Sequence, residues 1–171
     1  MWFPALAQRK LPKKDQRHIF NAFLAWMNGH SDDDPNVRYL MTIHHQHYVQ
    51  NGLELSALLQ KQQVNVVETQ QRIYQRVQPI IEHFEQHKAM IGRYYNVQDQ
   101  IFDLVFEEIK QLLATQEMEL LLICAQTDYH WIAVPKDAEK IEKFCHSFEK
   151  LFKNEQVSIE QYVVWGCARS T

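Results

Sequence analysis

The spacing of apolar residues changes near Met118. Before this position apolar residues recur every three or four residues, whereas residues 120–125 form the unbroken apolar run Leu-Leu-Leu-Ile-Cys-Ala. An apolar run of this length that ends at a polar turn, here residues 127–129, is typical of a buried strand. The second run, residues 131–134, is typical of its hairpin partner. The pattern therefore predicts helices first and a β-hairpin after them.

A helix and a third strand are predicted after the hairpin. The apolar residues of segment 138–152 share one helical stripe, which indicates an amphipathic helix that begins near Asp137. Residues 157–163 then alternate as a strand does. The resulting order over residues 117–165 is ββαβ, followed by a tail. A right-handed crossover would place the third strand in the same sheet, with the helix covering one face.

Polar and glycine positions divide the first part of the chain into helices. Asp15 can cap the first helix, and Asn28-Gly29 supplies a left-handed end for it. A second helix is predicted from Pro35 to Asn51-Gly52, because acidic residues precede the proline and the glycine pair closes the segment. A strand through residues 39–49 is the alternative, since apolar and polar residues also alternate there.

Three more helices are predicted before the hairpin. Residues 53–62 form a short one, and Asn65 can cap a longer one that contains Pro79. The proline predicts either a kink in this helix or a junction of two helices. The next helix follows Asn96 and is apolar over much of its circumference. Such wide apolar coverage favours a central position against the sheet.

The predicted fold class is therefore α+β, with a helical first two-thirds packed on a small C-terminal sheet. The 171 residues, 46% of them hydrophobic, fit one domain whose core needs no disulfide or metal to stabilise it. Within that single domain, residues 1–14 are predicted to be a flexible basic arm, residues 15–116 mainly helical, residues 117–165 the ββαβ part and residues 166–171 a tail.

The three cysteines, Cys124, Cys145 and Cys167, indicate reduced thiols. Their odd number and wide spacing fit neither a secreted disulfide framework nor a zinc knuckle. The first residues are apolar and then basic, the reverse of a secretory signal. No apolar run approaches the length of a membrane span. These features predict a cytoplasmic protein that makes no contact with a membrane.

Charge is unevenly distributed along the chain. The net charge is −3, but residues 1–18 carry +4, which leaves −7 for the remainder. An acidic body argues against general nucleic-acid binding, which depends on lysine and arginine at phosphates, and suits a basic partner. The sequence also lacks the glycine-rich motifs that bind nucleotide phosphates, so no cofactor is predicted.

A histidine cluster supports an alternative function, a metal-dependent hydrolase. On a helix His44 and His47 share one side, and His83 and His87, four residues apart, share another, so the four imidazoles could together hold a divalent transition metal such as zinc. The segment around His83 departs from the zincin pattern because its acid stands at the wrong position. The competing interpretation is that these are core or surface histidines without a shared ligand.

A second alternative is a DNA-binding regulator of the helix-turn-helix type. Residues 55–59, a short turn and the helix that starts near Val66 are faintly similar to that motif. The second helix carries little positive charge for phosphate contacts, and its turn lacks glycine.

The leading hypothesis is a non-enzymatic protein that acts by binding another protein. An acidic body without a complete catalytic set suits a bacterial immunity or inhibitor protein that neutralises a basic toxin or nuclease. Acidic side chains speed encounter with a basic partner, and aromatic side chains give interface hot spots. The sequence leaves the oligomeric state open. The predicted contact residues are Asp32, Asp33, Asp34, Asp128 and Tyr129.

Overall fold

The computed structural model describes residues 2–29, 37–44, 47–92, 96–126 and 128–163. Within these ranges it contains five α-helices and one four-stranded sheet, so the predicted α+β class is confirmed. The helices are α1 (Phe20–Asn28), α2 (Ala57–Lys61), α3 (Val67–Ile91), α4 (Val97–Ala114) and α5 (Ala138–Leu151). The strands are β1 (Met41–Ile43), β2 (Met118–Ala125), β3 (Asp128–Pro135) and β4 (Val157–Gln161). Short 3-10 helices span Pro4–Gln8, Lys14–Gln16 and Leu53–Leu55.

The sheet has the strand order β1-β3-β2-β4, and every neighbouring pair is antiparallel. The predicted hairpin is confirmed, with Leu122 opposite Trp131. Because β3 and β4 both run antiparallel to β2, they run in the same direction, and α5 crosses from one to the other. The prediction that the third strand joins the same sheet is therefore confirmed.

Successive strand residues point to opposite sides of the sheet, so the apolar strands present two faces to be buried. Helices cover both of them. On one face Leu120, Leu122 and Trp131 belong to the buried cluster that also contains the apolar residues of α3 and α4. On the other face Leu121 and Ile132 belong to the cluster of α1, α5 and the N-terminal segment. Helix α4 contributes eight buried residues, which confirms its predicted central position.

The helix predicted from Pro35 to Gly52 is wrong within the described residues. Met41 and Ile43 are instead strand residues, buried opposite Trp131 and Tyr129 of β3. Pairing with a strand that is already buried satisfies their backbone groups and their apolar side chains together, so this tertiary contact outweighs the local helix signals. Gly52 does take the left-handed conformation, with a φ of 83°, but it precedes the 3-10 helix Leu53–Leu55. A Cβ atom there would lie 2.5 Å from Cγ of Met41.

The helix caps agree with the sequence at some positions only. The Asn65 side chain accepts a hydrogen bond from the Val67 N–H (3.1 Å), and Asp137 accepts one from the Lys140 N–H (3.1 Å). Asp15 lies in a separate 3-10 helix and does not cap α1. Gly29, with a φ of −53°, is not left-handed. The long helix α3 continues through Pro79 as a single element.

The sequence predicts a flexible arm over residues 1–14, whereas the structure packs the first part of this segment on the sheet. Phe3 and Leu6 are buried in the same cluster as Ile132. The Arg9 guanidinium donates hydrogen bonds to the backbone oxygens of Trp26 (2.9 Å) and Met27 (2.7 Å). Apolar residues between the charges explain this docking, because their burial stabilises the segment.

Among the helices of the described ranges, none combines the length and the apolar character needed to cross a bilayer.

Candidate protein-binding surface

Asp128 and Tyr129, predicted as neighbours on one contact surface, point to opposite faces of the sheet. The Asp128 carboxylate lies on the α1 side, with Oδ2 3.5 Å from Nδ1 of His44. The Tyr129 ring lies on the α4 side, 4.8 Å from the Phe102 ring and 5.7 Å from the Phe106 ring. Side chains alternate along a strand, so these two side chains project from opposite faces of the sheet. The other predicted contact residues, Asp32, Asp33 and Asp34, lie outside the described residues.

Asp128 borders a polar pocket of about 550 Å³ between the start of α1 and the turn end of the β2–β3 hairpin. His130, in the wall of this pocket, is 3% exposed, and its Nδ1 lies 2.9 Å from Oγ1 of Thr42. Burial lowers the pKa of His130 to about 4, although the negative charge of Asp128 acts in the opposite direction. The imidazole is therefore uncharged at neutral pH.

The residues that the structure describes in this pocket do not form a nucleophilic centre. A hydroxyl nucleophile needs a histidine base that a carboxylate orients. The Thr42 hydroxyl contacts His130, but the low pKa of this histidine makes it a weak base. The nearby carboxylate of Asp128 pairs with His44, which is an exposed side chain. Among the described residues, the pocket thus contains a hydroxyl, an imidazole and a carboxylate. The carboxylate pairs with His44, however, and does not orient the imidazole of His130.

Glu155, in the same pocket, caps α1 from a distant part of the chain. Its Oε2 accepts a hydrogen bond from the Phe20 N–H (3.0 Å), one of the helix N–H groups without a partner inside the helix. We expect Glu155→Ala to lower the free energy of unfolding by about 1 kcal/mol, the usual value for a lost cap. Urea denaturation measures this change. Glu155→Gln retains an acceptor oxygen and should cost less; an equal loss in both variants would contradict the cap.

The four histidines of the predicted metal site are not brought together. His83 and His87 lie on adjacent turns of α3 with ring centroids 4.4 Å apart. The His87 Nδ1 atom lies within hydrogen-bond distance of the His83 backbone oxygen, at 2.9 Å. His44 follows β1 and pairs with Asp128, and His47 lies in the next turn. No three His, Cys, Asp or Glu side chains of the described residues form a group that could hold a metal ion.

In the region that is faintly similar to a helix-turn-helix, both arginines of α3 are engaged within the protein. Helix α2 has only five residues. In the first half of α3, Arg72 and Arg76 form ion pairs with Glu108, and Arg76 also with Glu107. These guanidinium groups compensate carboxylates of α4, so they contribute little positive charge for phosphate contacts.

An acidic surface that the sequence analysis did not single out lies along α4. Asp99, Asp103 and Glu107 are spaced four residues apart and therefore share one side of the helix. Burial and the Asp99 charge raise the pKa of Asp103, which shows that the two carboxylates interact. Among the described residues, neither Asp99 nor Asp103 takes part in an ion pair, whereas Glu107 pairs with Arg76.

Two tyrosines adjoin these carboxylates. The Tyr162 hydroxyl donates a hydrogen bond to the Asp103 backbone oxygen (3.1 Å). Burial, with the charges of Asp103 and Glu107, raises the pKa of Tyr162 to about 12. The half-buried Tyr129 also has a raised pKa, mainly because of its burial and secondly because of the negative charge of Asp99. The tyrosines thus stay protonated beside the acidic side chains.

The edge strand β4 extends this region with another carboxylate. Glu160 is paired with Leu122 in the sheet register, and paired residues project to the same face, here the face that α4 covers. The pKa of Cys124 is raised mainly by the burial of its thiol and secondly by the negative charge of Glu160. Glu160 is exposed and takes part in no ion pair among the described residues. We call the set formed by Asp99, Asp103, Glu107, Tyr129, Tyr162 and Glu160 the α4 acidic surface.

Comparison with known proteins finds no matching family model and no significantly similar curated protein or solved structure. The spacing of Asp99, Asp103 and Glu107 was a signal in the sequence, but solvated acidic stripes are common on helices. What distinguishes this stripe is the approach of Tyr129 and Tyr162 from the sheet.

Proposed function

We propose that this protein binds a basic protein partner through the α4 acidic surface, as an immunity or inhibitor protein that neutralises a toxin or nuclease does. The observation that carries the proposal is the position of Asp99 and Asp103 beside the half-buried Tyr129, on the face of the sheet that also carries Glu160. Among the described residues, none of these three carboxylates takes part in an ion pair. Carboxylates speed encounter with a positively charged partner, and a tyrosine anchors the contact once water is excluded.

The charge of the molecule supports a basic rather than an acidic partner. The chain outside residues 1–18 carries −7, and the α4 acidic surface contributes four of its carboxylates. The basic segment packs on the opposite face of the sheet, in the cluster that contains Phe3 and Leu6. This separation keeps the lysine and arginine side chains of the N-terminal segment away from the proposed contact region, so these side chains do not weaken the attraction to a basic partner there.

The state of the cysteines supports a cytoplasmic location, which we propose together with the binding function. Cys124 and Cys145 are free thiols, each half-buried. Burial raises the pKa of both thiols, which disfavours the reactive thiolate. Thiols of this kind suit a reducing compartment and a structural role, consistent with binding as the activity.

Charge reversal tests the proposed surface. The wild-type protein serves as bait in a lysate of its native host, and the captured partner is then purified and titrated by calorimetry at two salt concentrations. We expect Asp99→Lys with Asp103→Lys to weaken binding by at least about tenfold, because two attractions become repulsions. Higher salt should weaken the wild-type complex and reduce this difference, since it screens exposed charges.

The matched control places the same charge change on the opposite face of the sheet. Glu142 and Glu149 are exposed residues of α5, so Glu142→Lys with Glu149→Lys changes the net charge equally. This control should retain binding within about twofold, as expected for distant surface charges. An equal loss of affinity in both double variants would mean that net charge alone causes the effect. Unchanged affinity in the α4 variant would contradict the proposed surface. Addition of the wild-type protein should also inhibit the toxic or nuclease activity of the captured partner, whereas addition of the α4 double variant should not.

A further inference from the structure

We propose that a cavity between the N-terminal segment, α1 and α5 is a binding site for a small amphipathic carboxylate, a molecule with an apolar body and an anionic head group. The cavity measures about 490 Å³ and lies within the size range of small-molecule pockets. We call it the aromatic cavity. Its walls include Trp2, Phe3, Arg9, Phe23, Trp26 and Phe144.

The walls of the aromatic cavity are held in place by packing on the sheet. Phe3 is buried, and the Trp2 and Phe144 rings meet edge to face with centroids 5.3 Å apart. The hydrogen bonds of Arg9 to the backbone oxygens of Trp26 and Met27 fix the N-terminal segment against α1. A cavity with such a wall is largely formed before a ligand arrives, so an apolar body can enter without reordering the core.

Two hydrogen-bond donors at this cavity lack acceptors. The indole Nε1 atoms of Trp2 and Trp26 are buried and have no hydrogen-bond partner among the described residues. Trp131, by contrast, donates its indole N–H to the Asn51 backbone oxygen (2.7 Å). Buried indole N–H groups normally find an acceptor. A carboxylate supplies two acceptor oxygens and no donor, which is the chemistry that these two N–H groups lack among the described residues.

Positive charge beside the cavity favours an anionic head group. The Arg9 Nη1 atom donates hydrogen bonds to backbone oxygens, whereas Nε and Nη2 have no acceptor among the described residues. Lys140 also lines the cavity, with its side chain 61% exposed and Nζ 2.7 Å from the Asp137 carboxylate. Residues 1–18 carry +4, in an otherwise acidic chain. Arg9 and Lys140 are the charged residues of the described cavity wall, and their positive charge favours an anion over a cation of equal size.

The aromatic cavity and the α4 acidic surface lie on opposite faces of the sheet. Trp2, Phe23 and Phe144 pack on the cluster of α1 and α5, whereas Tyr129 packs on the cluster of α4. Binding of a small carboxylate can therefore fail while protein binding succeeds, and the reverse. The two proposals are distinguishable by experiment.

Calorimetry with three probes of similar chain length tests the proposal. Decanoate, decyltrimethylammonium and decanol are titrated below their micelle-forming concentrations into the full chain. We expect decanoate to bind at least about tenfold more tightly than the cation, a ratio that corresponds to one strong charge-assisted contact. Decanol should fall between them. Equal affinity for decanoate and the cation would overturn the assignment of an anionic head group.

Conservative variants locate the binding. Trp2→Phe and Trp26→Phe keep a ring and remove an indole N–H, and each should weaken decanoate binding by about threefold to tenfold, as loss of one hydrogen bond does. Lys140→Gln should weaken it by about threefold, whereas the exposed Lys143 on the same helix does not line the cavity, so Lys143→Gln serves as the matched control. If Trp26→Phe disturbs the fold, as judged by circular dichroism, Trp2→Phe and Lys140→Gln decide. Unchanged affinity in these variants would overturn the site.

Discussion

Replacing Glu108 with alanine should lower the free energy of unfolding by about 3 kcal/mol, because it breaks a buried ion-pair network. Glu108 is 3% exposed on α4, and its carboxylate accepts hydrogen bonds from Arg72 Nε (2.9 Å) and Arg76 Nη1 (2.7 Å) of α3. Arg72 also donates to the hydroxyl of the buried Thr69 (2.9 Å). Loss of the carboxylate leaves two guanidinium groups without their central partner.

The size of this effect follows from the exposure of the partners. The Arg72 and Arg76 side chains are 45% and 38% exposed, so both can turn toward water when Glu108 is removed. The expected loss therefore lies at the lower end of the roughly 3–5 kcal/mol that breaking a buried pair costs. Chemical denaturation of the wild type and the variant at neutral pH measures it.

The neighbouring Glu107 provides a matched control. It also pairs with Arg76, at 2.7 Å, but its side chain is 25% exposed. We expect Glu107→Ala to cost about 1 kcal/mol or less, since a more solvated pair contributes less. Similar losses in the two variants would contradict the central role of Glu108 between α3 and α4.

The pH dependence of the Glu108 contribution has a definite sign. Burial raises the pKa of Glu108, but the hydrogen bonds and charges of Arg76 and Arg72 outweigh burial and place the pKa below its ordinary value of 4.5. The charged form is therefore favoured in the folded state. Its contribution to stability is present above the ordinary pKa and is lost as the pH falls through the lower folded-state pKa.

Acidification from about pH 6.5 to pH 4 should destabilise the protein by up to about 3 kcal/mol through His130 alone. Burial lowers the pKa of this histidine from 6.5 to about 4. Between these values the unfolded chain binds a proton that the folded chain does not, so stability falls as the pH falls. The negative charge of Asp128 opposes this shift, and the positive charge of His44 adds to it, but burial dominates.

The His130→Gln variant isolates this contribution. Glutamine cannot titrate, so the slope of stability against pH between 6.5 and 4 should become shallower in the variant, whatever its stability at pH 7. His146, an exposed residue of α5, is the matched control, and His146→Gln should retain the wild-type slope. Denaturant midpoints measured at half-unit pH intervals give the slopes. An unchanged slope in His130→Gln would show that other groups control the acid sensitivity.

Local periodicity predicted most of the elements because it records which side of each segment is buried. The apolar run 120–125, the alternation over 157–163 and the stripe of α5 all correspond to observed elements. The Asp137 cap could be predicted as well, since its partner lies three residues away at the Lys140 N–H. Signals of this kind reach only a few residues along the chain.

The region of β1 shows where such signals fail. Asn51-Gly52 and the acidic residues before Pro35 favour a helix, yet Met41 and Ile43 gain more by pairing with β3. The partner strand is about 90 residues away in sequence, so no local pattern contains it. A still larger separation, 135 residues between Phe20 and Glu155, explains why the sequence predicted Asp15 as the cap of α1 and missed Glu155.

The candidate sites depend on tertiary structure even more strongly. The sequence joined Asp128 to Tyr129 because they are neighbours in the chain, but a strand directs them to opposite faces. The α4 acidic surface requires β3 and β4 to bring Tyr129 and Tyr162 beside Asp103. The aromatic cavity likewise requires the N-terminal segment to dock against α1 and α5.

The sequence by itself determined the fold class, the hairpin, the helix that crosses to β4 and the uneven charge, because these follow from local periodicity and composition. Only the tertiary structure decided the strand at Met41–Ile43, the docked N-terminal segment and the grouping of functional side chains. The physical reason is that burial and pairing energies act between residues far apart in the chain, and they exceed local propensities wherever the two conflict.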